Sequence, residues 1–404
     1  MSSYMCMEDG SYQMNVIPSV NAEQGYAILV RKDFMEQVKS VTGLDPEDYD
    51  VLNDNYQNMS MSDFVNLVNA MDGNIKGIRY AISGTAWDMN RVIGPAYDVD
   101  AYNIQLDESG NYVPAQFTSG AGDFMDQLWN WAKNGVWEPD SANMTDSTRL
   151  TYFLSGYSGV YITYPEISNI INVARKLNAY NSNAEYMVIA PLADKDGNVN
   201  GFQKIQRSFN GVIIPLKSTD SVTLVKFIDW MYSDTDNYEL CKYGVKGTDW
   251  VEGEDKIVNG VTYNTWSYPD SKVEEYNNNP PYSGKFCILQ NINVSNRIRG
   301  DYSLNEMQWY EKAISDFPVY VSTSPEGVSL QEVPKEYKTQ SNYIDGDYVN
   351  NIRGITWAGK GTTAPSDLLA SYISEHKTTC AGYLSWLDTN IKTSISYFDT
   401  KFQD

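Results

Sequence analysis

A single histidine, His376, and four cysteines, Cys6, Cys241, Cys287 and Cys380, are the whole supply of imidazole and thiol in a chain of 404 residues. A Ser-His-Asp relay or a His-based zinc site has almost nothing to draw on. The cysteines fall far apart with no C-x-x-C pair. That excludes a zinc finger or a thioredoxin motif and leaves ordinary buried thiols, with a disulfide open. The segment "GITWAGKGTT" comes nearest to phosphate chemistry, because Gly354, Gly359 and Lys360 match G-x-x-x-x-G-K. Gly361, however, stands where a hydroxyl must hold magnesium, no apolar strand precedes the segment, and Pro365 follows closely. "LADKDGNVNG" (192–201) opens like a calcium loop but lacks the later acids and the closing Glu, so it reads as a hairpin turn, as does "LDESGNYV" (106–113). No G-x-S-x-G elbow occurs. Carboxylates alone are plentiful, 52 in all, so glycoside hydrolysis by a carboxylate pair is the one catalytic chemistry that stays open. No cofactor and no metal is expected.

The other abundant chemistry is aromatic: 31 Tyr, 10 Trp and 12 Phe. Rings with an apolar face and a polar tip serve recognition surfaces as well as cores. A formal charge of −22 argues against a nucleic-acid partner and against docking on an anionic membrane, and keeps a protein soluble and monomeric. No apolar run approaches the length of a membrane span, and the N-terminal "MSSYMCMEDGSYQMN" shows neither a basic n-region nor an apolar h-region.

The elements that must position these residues alternate between short apolar runs and amphipathic helices. "GYAILV" (25–30), "GVYIT" (159–163), "YMVIA" (186–190) and "GVIIP" (211–215) read as buried strands. Helical spacing places Phe34, Val38 and Val41 on one face, and Phe124, Leu128, Trp131 and Ala132 on another. Ser62 is the expected N-cap before Phe64, Val65, Val68 and Met71. The helix after "STDS" carries Leu224, Val225, Ile228, Met231 and Tyr232 on one face. Gly135 and Gly244 read as left-handed residues closing helices, with Val136 against Trp131 and Val245 against Leu240. Each glycine precedes a loop tryptophan, Trp137 and Trp250, and Trp250 reads as a packing residue that pins its loop. Residues 251–300 read as an irregular, loop-rich insertion. The alternation predicts α/β architecture with largely parallel sheets.

Four passages together resemble the family 1 extracellular solute-binding proteins of bacterial ABC importers, in the lipoprotein branch associated with oligosaccharides. They are "IPSVNAEQGYAILVRKDFMEQV" (17–38), "DFMDQLWNWAKNGVWEPD" (123–140), "FLSGYSGVYITYPE" (153–166) and "IIPLKSTDSVTLVKFIDWMYSDTDNYELCKYGVKGTDW" (213–250). The last, with its short helix, "YG" and then G-x-x-W, is the most specific. The resemblance implies a two-lobed, type II periplasmic-binding-protein-like α/β fold. Lobe one would comprise 1–22 and 210–305, with the insertion at 251–300; lobe two would comprise 23–209 and 306–404. It implies capture of a carbohydrate in an interlobe cleft and delivery to permease subunits at the extracellular face of the membrane. Family members carry a lipobox signal and further lobe-one elements ahead of the segment at 17–38. The expectation is therefore an N-terminal truncation, an incomplete lobe one and a lipid anchor on the full-length protein. Cleft positions fall at strand ends beside the crossovers, which points to Asn21, Glu23, Tyr26, Trp87, Tyr164, Glu166, Arg207, Phe209 and Asn210, with Trp266 and Trp357 as loop aromatics within reach. A secreted polysaccharide-active hydrolase using paired carboxylates is the alternative from a different class.

Overall fold

The computed structural model describes residues 5–8, 11–14, 17–19, 25–100, 104–203, 211–215, 217–279, 291–314, 319–320 and 333–401. The chain forms two compact units, Gln24–Lys204 with Lys312–Asp404, and Met1–Glu23 with Ile205–Glu311.

The first of these is built on a four-stranded sheet. Its main elements in chain order include β1 (Ala27–Arg31), α1 (Lys32–Thr42), α2 (Met61–Asn74), β2 (Ile82–Ser83), α3 (Ala86–Val92), α4 (Ala121–Asn134), α5 (Asp146–Leu154), β3 (Val160–Thr163), α6 (Ile167–Tyr180) and β4 (Tyr186–Ile189). The strand order is β2-β3-β1-β4. Every residue of β1 is buried, which is why its sequence is a continuous apolar run. The expected strands at 25–30, 159–163 and 186–190 are therefore present, but the expectation of largely parallel pairing is corrected. β1 runs antiparallel to both β3 and β4, and only β2 with β3 is parallel. Burial on both faces produces the same apolar run whatever the strand direction, so composition could not reveal it.

The helices cover this sheet with the predicted residues. Phe34, Val38, Phe64, Leu128 and Trp131 are buried, whereas Val41 faces solvent. The N-cap of α2 is Ser60 rather than Ser62: its hydroxyl accepts from the Asp63 amide at 3.0 Å. α4 ends as expected, with Gly135 at φ 77° and the Val136 amide donating to the Trp131 carbonyl at 2.9 Å. Both hairpin turns form: Asp107 and Asp194 each accept two turn amides through one carboxylate oxygen.

In the second unit, α7 (Ser221–Ser233) and α8 (Thr235–Tyr243) precede β5 (Val251–Glu252), β6 (Lys256–Val258), β7 (Val261–Tyr263), β8 (Thr265–Ser267) and β9 (Ile298–Arg299). The stretch expected to be irregular is thus partly regular. β6 and β7 form a hairpin turning on Asn259 and Gly260, both at positive φ, and β5-β8-β9 form a small sheet. Gly244 corrects a further expectation. Its φ of 90° and ψ of −158° lie outside the left-handed helical region, and the Val245 amide donates to the Asp249 carboxylate instead of back into the helix. Leu240 and Val245 are accordingly both exposed. Trp250 does pin this loop: it is 1% exposed and its indole N–H donates to the Gly244 carbonyl at 3.1 Å. Ile213 is exposed, so only Gly211–Val212 of the expected strand is a strand, paired with Ile17–Pro18.

The first unit also contains α9 (Lys335–Tyr348), α10 (Gly354–Trp357), α11 (Pro365–Thr379) and α12 (Ala381–Lys401). The "GITWAGKGTT" segment is packing, not phosphate chemistry. Gly359 has φ +60°, and a Cβ there would sit 2.4 Å from the Lys133 backbone nitrogen, so only glycine lets the loop approach α4 this closely. The Trp129 indole N–H donates to the Lys360 carbonyl at 2.7 Å and locks the contact. His376 is a core imidazole, wholly buried, donating through Nδ1 to the Tyr372 carbonyl at 2.8 Å. Cys241 and Cys380 are free thiols.

Candidate functional site

Pairing directions decide what meets at one end of the sheet in the Gln24–Lys204 unit. Ala27 pairs with Thr163 and Ile28 with Ile189, while β2 runs parallel to β3. The C-terminal ends of β2, β3 and β4 therefore share an edge with the start of β1. In open α/β sheets such carboxyl ends are where ligands are bound. Four of the sequence-predicted residues sit there: Tyr26 just before β1, Tyr164 and Glu166 just after β3, and Trp87 after β2.

Tyr26 and Tyr164 are paired, ring centroids 5.1 Å apart and tilted by 40°. Tyr26 is buried and Tyr164 half-buried, so the second ring covers the first and presents the outer face. Burial, with the Tyr164 hydroxyl bonded beside it, pushes the Tyr26 phenol far above its ordinary value, so it stays protonated. Glu166 is exposed at the N-cap of α6.

Trp87 is held out on a rigid mount. Thr85 caps α3 and accepts from the Asp88 amide at 3.2 Å, while Asp88 accepts from the Thr85 amide at 2.8 Å, a reciprocal capping box. Arg149, buried, donates to Asp88 at 2.5 Å and to the Ile162 carbonyl of β3 at 3.0 Å, tying the helix start to the sheet. Burial outweighs Arg149 and the Thr85 donors and leaves the Asp88 carboxyl above its ordinary value. The Trp137 indole N–H donates to the Gly84 carbonyl at 2.8 Å and fixes the preceding loop. On this mount the Trp87 side chain is 53% exposed, an unusual cost for an indole. Arg91, one turn on, lies with its guanidinium 5.8 Å from the Trp87 ring and acts electrostatically on the Tyr26 hydroxyl. Sequence reasoning passed over Arg91; its spacing of four from Trp87 in a capped helix was the available signal.

The remaining candidates separate. Trp266 belongs to the other unit and is built into an aromatic row, 4.9 Å from Tyr243 and 5.1 Å from Tyr268, with Arg299 over it at 5.2 Å. Trp357 ends α10 and lines a pocket with Arg353, whose guanidinium lies 4.9 Å from its ring. Asn21, Glu23, Arg207, Phe209 and Asn210 lie outside the described residues. Among the described residues no cluster of His, Cys, Asp and Glu could hold a metal ion, and no helix is long and apolar enough to cross a membrane.

The mixed α/β fold is that of the two-lobed periplasmic solute-binding proteins. The alginate-binding protein AlgQ2, in its calcium-free crystal structure, is similar over 97% of this chain and 76% of its own, at 13% identity and a TM-score of 0.62. The N-glycan transport solute-binding protein NgtS from Streptococcus pneumoniae is similar over 98% and 77%, at 11% identity and a TM-score of 0.58. A human-milk-oligosaccharide (HMO) binding, ABC-transporter-associated solute-binding protein from Bifidobacterium longum infantis is similar over 96% and 77%, at 14% identity and a TM-score of 0.58. No protein-family model and no curated protein sequence matches the chain.

Proposed function

We propose that the chain is the substrate-binding component of an ABC importer and captures an oligosaccharide for delivery to permease subunits at the outer face of the membrane. The observation that carries this reading is Trp87, an exposed indole on a helix start anchored by a buried ion pair, beside the Tyr26–Tyr164 pair. Rigid aromatic faces displayed at strand ends suit the apolar faces of sugar rings, and Arg91 and Glu166 suit the hydroxyls at their rims. Asn21, Glu23, Arg207, Phe209, Asn210 and Trp266 are further candidates for contacts to the ligand. The saccharide ligands in the names of similar structures support the class of ligand. Asp88 does not serve a hydrolase, because Arg149 and Thr85 already occupy it.

The test is a panel of oligosaccharides incubated with the protein, read by thermal shift and by analysis of the recovered sugar. A dose-dependent rise in melting temperature with intact sugar is expected. Cleavage products would overturn the reading in favour of a hydrolase.

A further inference from the structure

His376, the only histidine in the chain, takes no part in the proposed site. It stands on α11, wholly buried, between two rings: Tyr372 at 4.1 Å and Tyr343 of α9 at 4.6 Å between centroids. A carbonyl only accepts, so the 2.8 Å bond to the Tyr372 carbonyl places a hydrogen on Nδ1. The other nitrogen, Nε2, has no hydrogen-bond partner, an anomaly for a buried polar atom. Asp347 Oδ2, on α9, lies 3.7 Å from it, while the other oxygen of that carboxylate accepts from the Asn351 side-chain amide.

With a hydrogen on Nδ1 alone, Nε2 turns a lone pair toward a carboxylate oxygen, and two acceptors face each other unsatisfied. The flanking rings and the Tyr372 bond hold the imidazole in place, which leaves protonation as the simplest relief. A second hydrogen, on Nε2, makes the same two groups a charge-assisted donor and acceptor. Burial of the cation opposes this, but the Asp347 side chain keeps 26% of its surface in water, and tyrosine faces on both sides attract positive charge. The charged surroundings lean the same way. Glu375, on α11, bonds the Tyr343 hydroxyl, and Asp345, on α9, acts together with Asp347 on the Tyr372 hydroxyl. Against these stand Arg353, which acts on Asp345 and Tyr348, and the exposed Lys377. The rest of the shell is Gln116, Tyr348, Tyr383 of α12 and the Cys380 thiol.

We propose that His376 and Asp347 form a proton-operated clamp between α9 and α11. With the imidazole charged and the carboxylate ionised, the pair binds and ties the two helices together. As pH rises and Nε2 loses its proton, attraction gives way to two opposed lone pairs and the helices loosen. The added stability is thus present on the acid side of the imidazole transition and lost above it. It also fades in stronger acid, where Asp347 itself takes up a proton. The clamp stands independently of the saccharide reading.

Nitrogen NMR of the full chain, labelled at histidine, follows this one imidazole without overlap. Between about pH 5 and about pH 9, across the ordinary imidazole range, it should pass from a ring with both nitrogens protonated to one with Nε2 bare. Hydrogen exchange, corrected for its intrinsic pH dependence, should show α9 and α11 about tenfold better protected at the acid end, the scale of one charge-assisted hydrogen bond. Asp347→Asn supplies a neutral amide that donates to a bare Nε2, so it should remove the pH dependence of protection, with circular dichroism confirming the fold. His376→Gln should remove it as well. The ring signal of the wild type is read without any variant, and an imidazole that keeps one protonation state throughout overturns the proposal. So does an undiminished acid gain in protection in a folded Asp347→Asn protein.

Discussion

Trp87 and Tyr164 share the end of one sheet yet differ in what else they do, and substitution should separate them. Trp87 is more than half exposed, so Trp87→Ala should leave stability within about 0.5 kcal/mol of the parent and weaken oligosaccharide binding by about 1–3 kcal/mol. Tyr164 also covers Tyr26, so Tyr164→Ala should cost a further ~1 kcal/mol of stability from the lost ring pair. Titration calorimetry beside urea denaturation reads both quantities; a destabilised Trp87→Ala protein with unchanged affinity would return that indole to a packing role. Beneath them, Arg149→Met should destabilise by about 3–5 kcal/mol near neutral pH, because it strands the Asp88 carboxylate without its counter-charge. The sign of the pH dependence follows from Asp88. Its folded value is already raised by burial and would rise further without Arg149, so the penalty is full above the folded value and fades as pH falls toward the unfolded one, near 4. The gap between parent and variant should therefore narrow on acidification. A gap independent of pH would mean that Asp88 is not the group left stranded.

Elements were legible wherever one physical cause dominated the local sequence. Buried strands announced themselves as apolar runs, and Gly135 announced a helix end because Val136 and Trp131 had to meet across it. Direction of pairing was not legible, since β1 is set antiparallel to β3 and β4 by contacts distant in sequence. Nor was Gly244, whose loop is shaped by the Asp249 carboxylate rather than by the helix it follows. The Asn259–Gly260 turn was written plainly in the sequence and was masked by the polar composition around it. In the site, the tyrosine pair followed from strand ends, but the mount under Trp87 did not, because Arg149 reaches Asp88 from a distant point in the sequence. Gly359 offers a test at this scale. Gly359→Ala would place a methyl group against the α4 backbone in a left-handed conformation, so it should cost about 1–3 kcal/mol and loosen the Trp129–Lys360 bond. Urea denaturation with hydrogen exchange at 358–361 checks this. Wild-type stability with unchanged protection would show that the close approach carries no weight.

At the scale of the whole molecule, two features pull in opposite directions: a net charge of −22 and a helix with an exposed apolar face. α7 is apolar nearly all round. Its last turn packs Met231 and Ile228 with Tyr238, Val212 and Ile17, but Val222, Leu224, Val225, Phe227 and Trp230 are all exposed. The predicted face of this helix is thus only half used, at Ile228, Met231 and Tyr232, while Leu224 and Val225 face water. A contiguous apolar surface of this kind favours association. Like charges on every copy oppose it, over a range of roughly 30 Å at 0.01 M salt that shrinks to about 3 Å at 1 M. Charge repulsion should therefore hold the chain monomeric in dilute buffer and release it to associate as salt is raised, the reverse of an association held by ion pairs. Sedimentation velocity at about 0.01 M and about 1 M sodium chloride should show the mean size rising with salt, accompanied by binding of a hydrophobic dye at both. Replacing Phe227 and Trp230 with Lys should abolish the rise and the dye signal together, since both residues lie on the exposed part of the helix and neither supports the small core beneath it. A sedimentation coefficient indifferent to salt, or dye binding unchanged in the double variant, would place the association-prone surface elsewhere on the molecule.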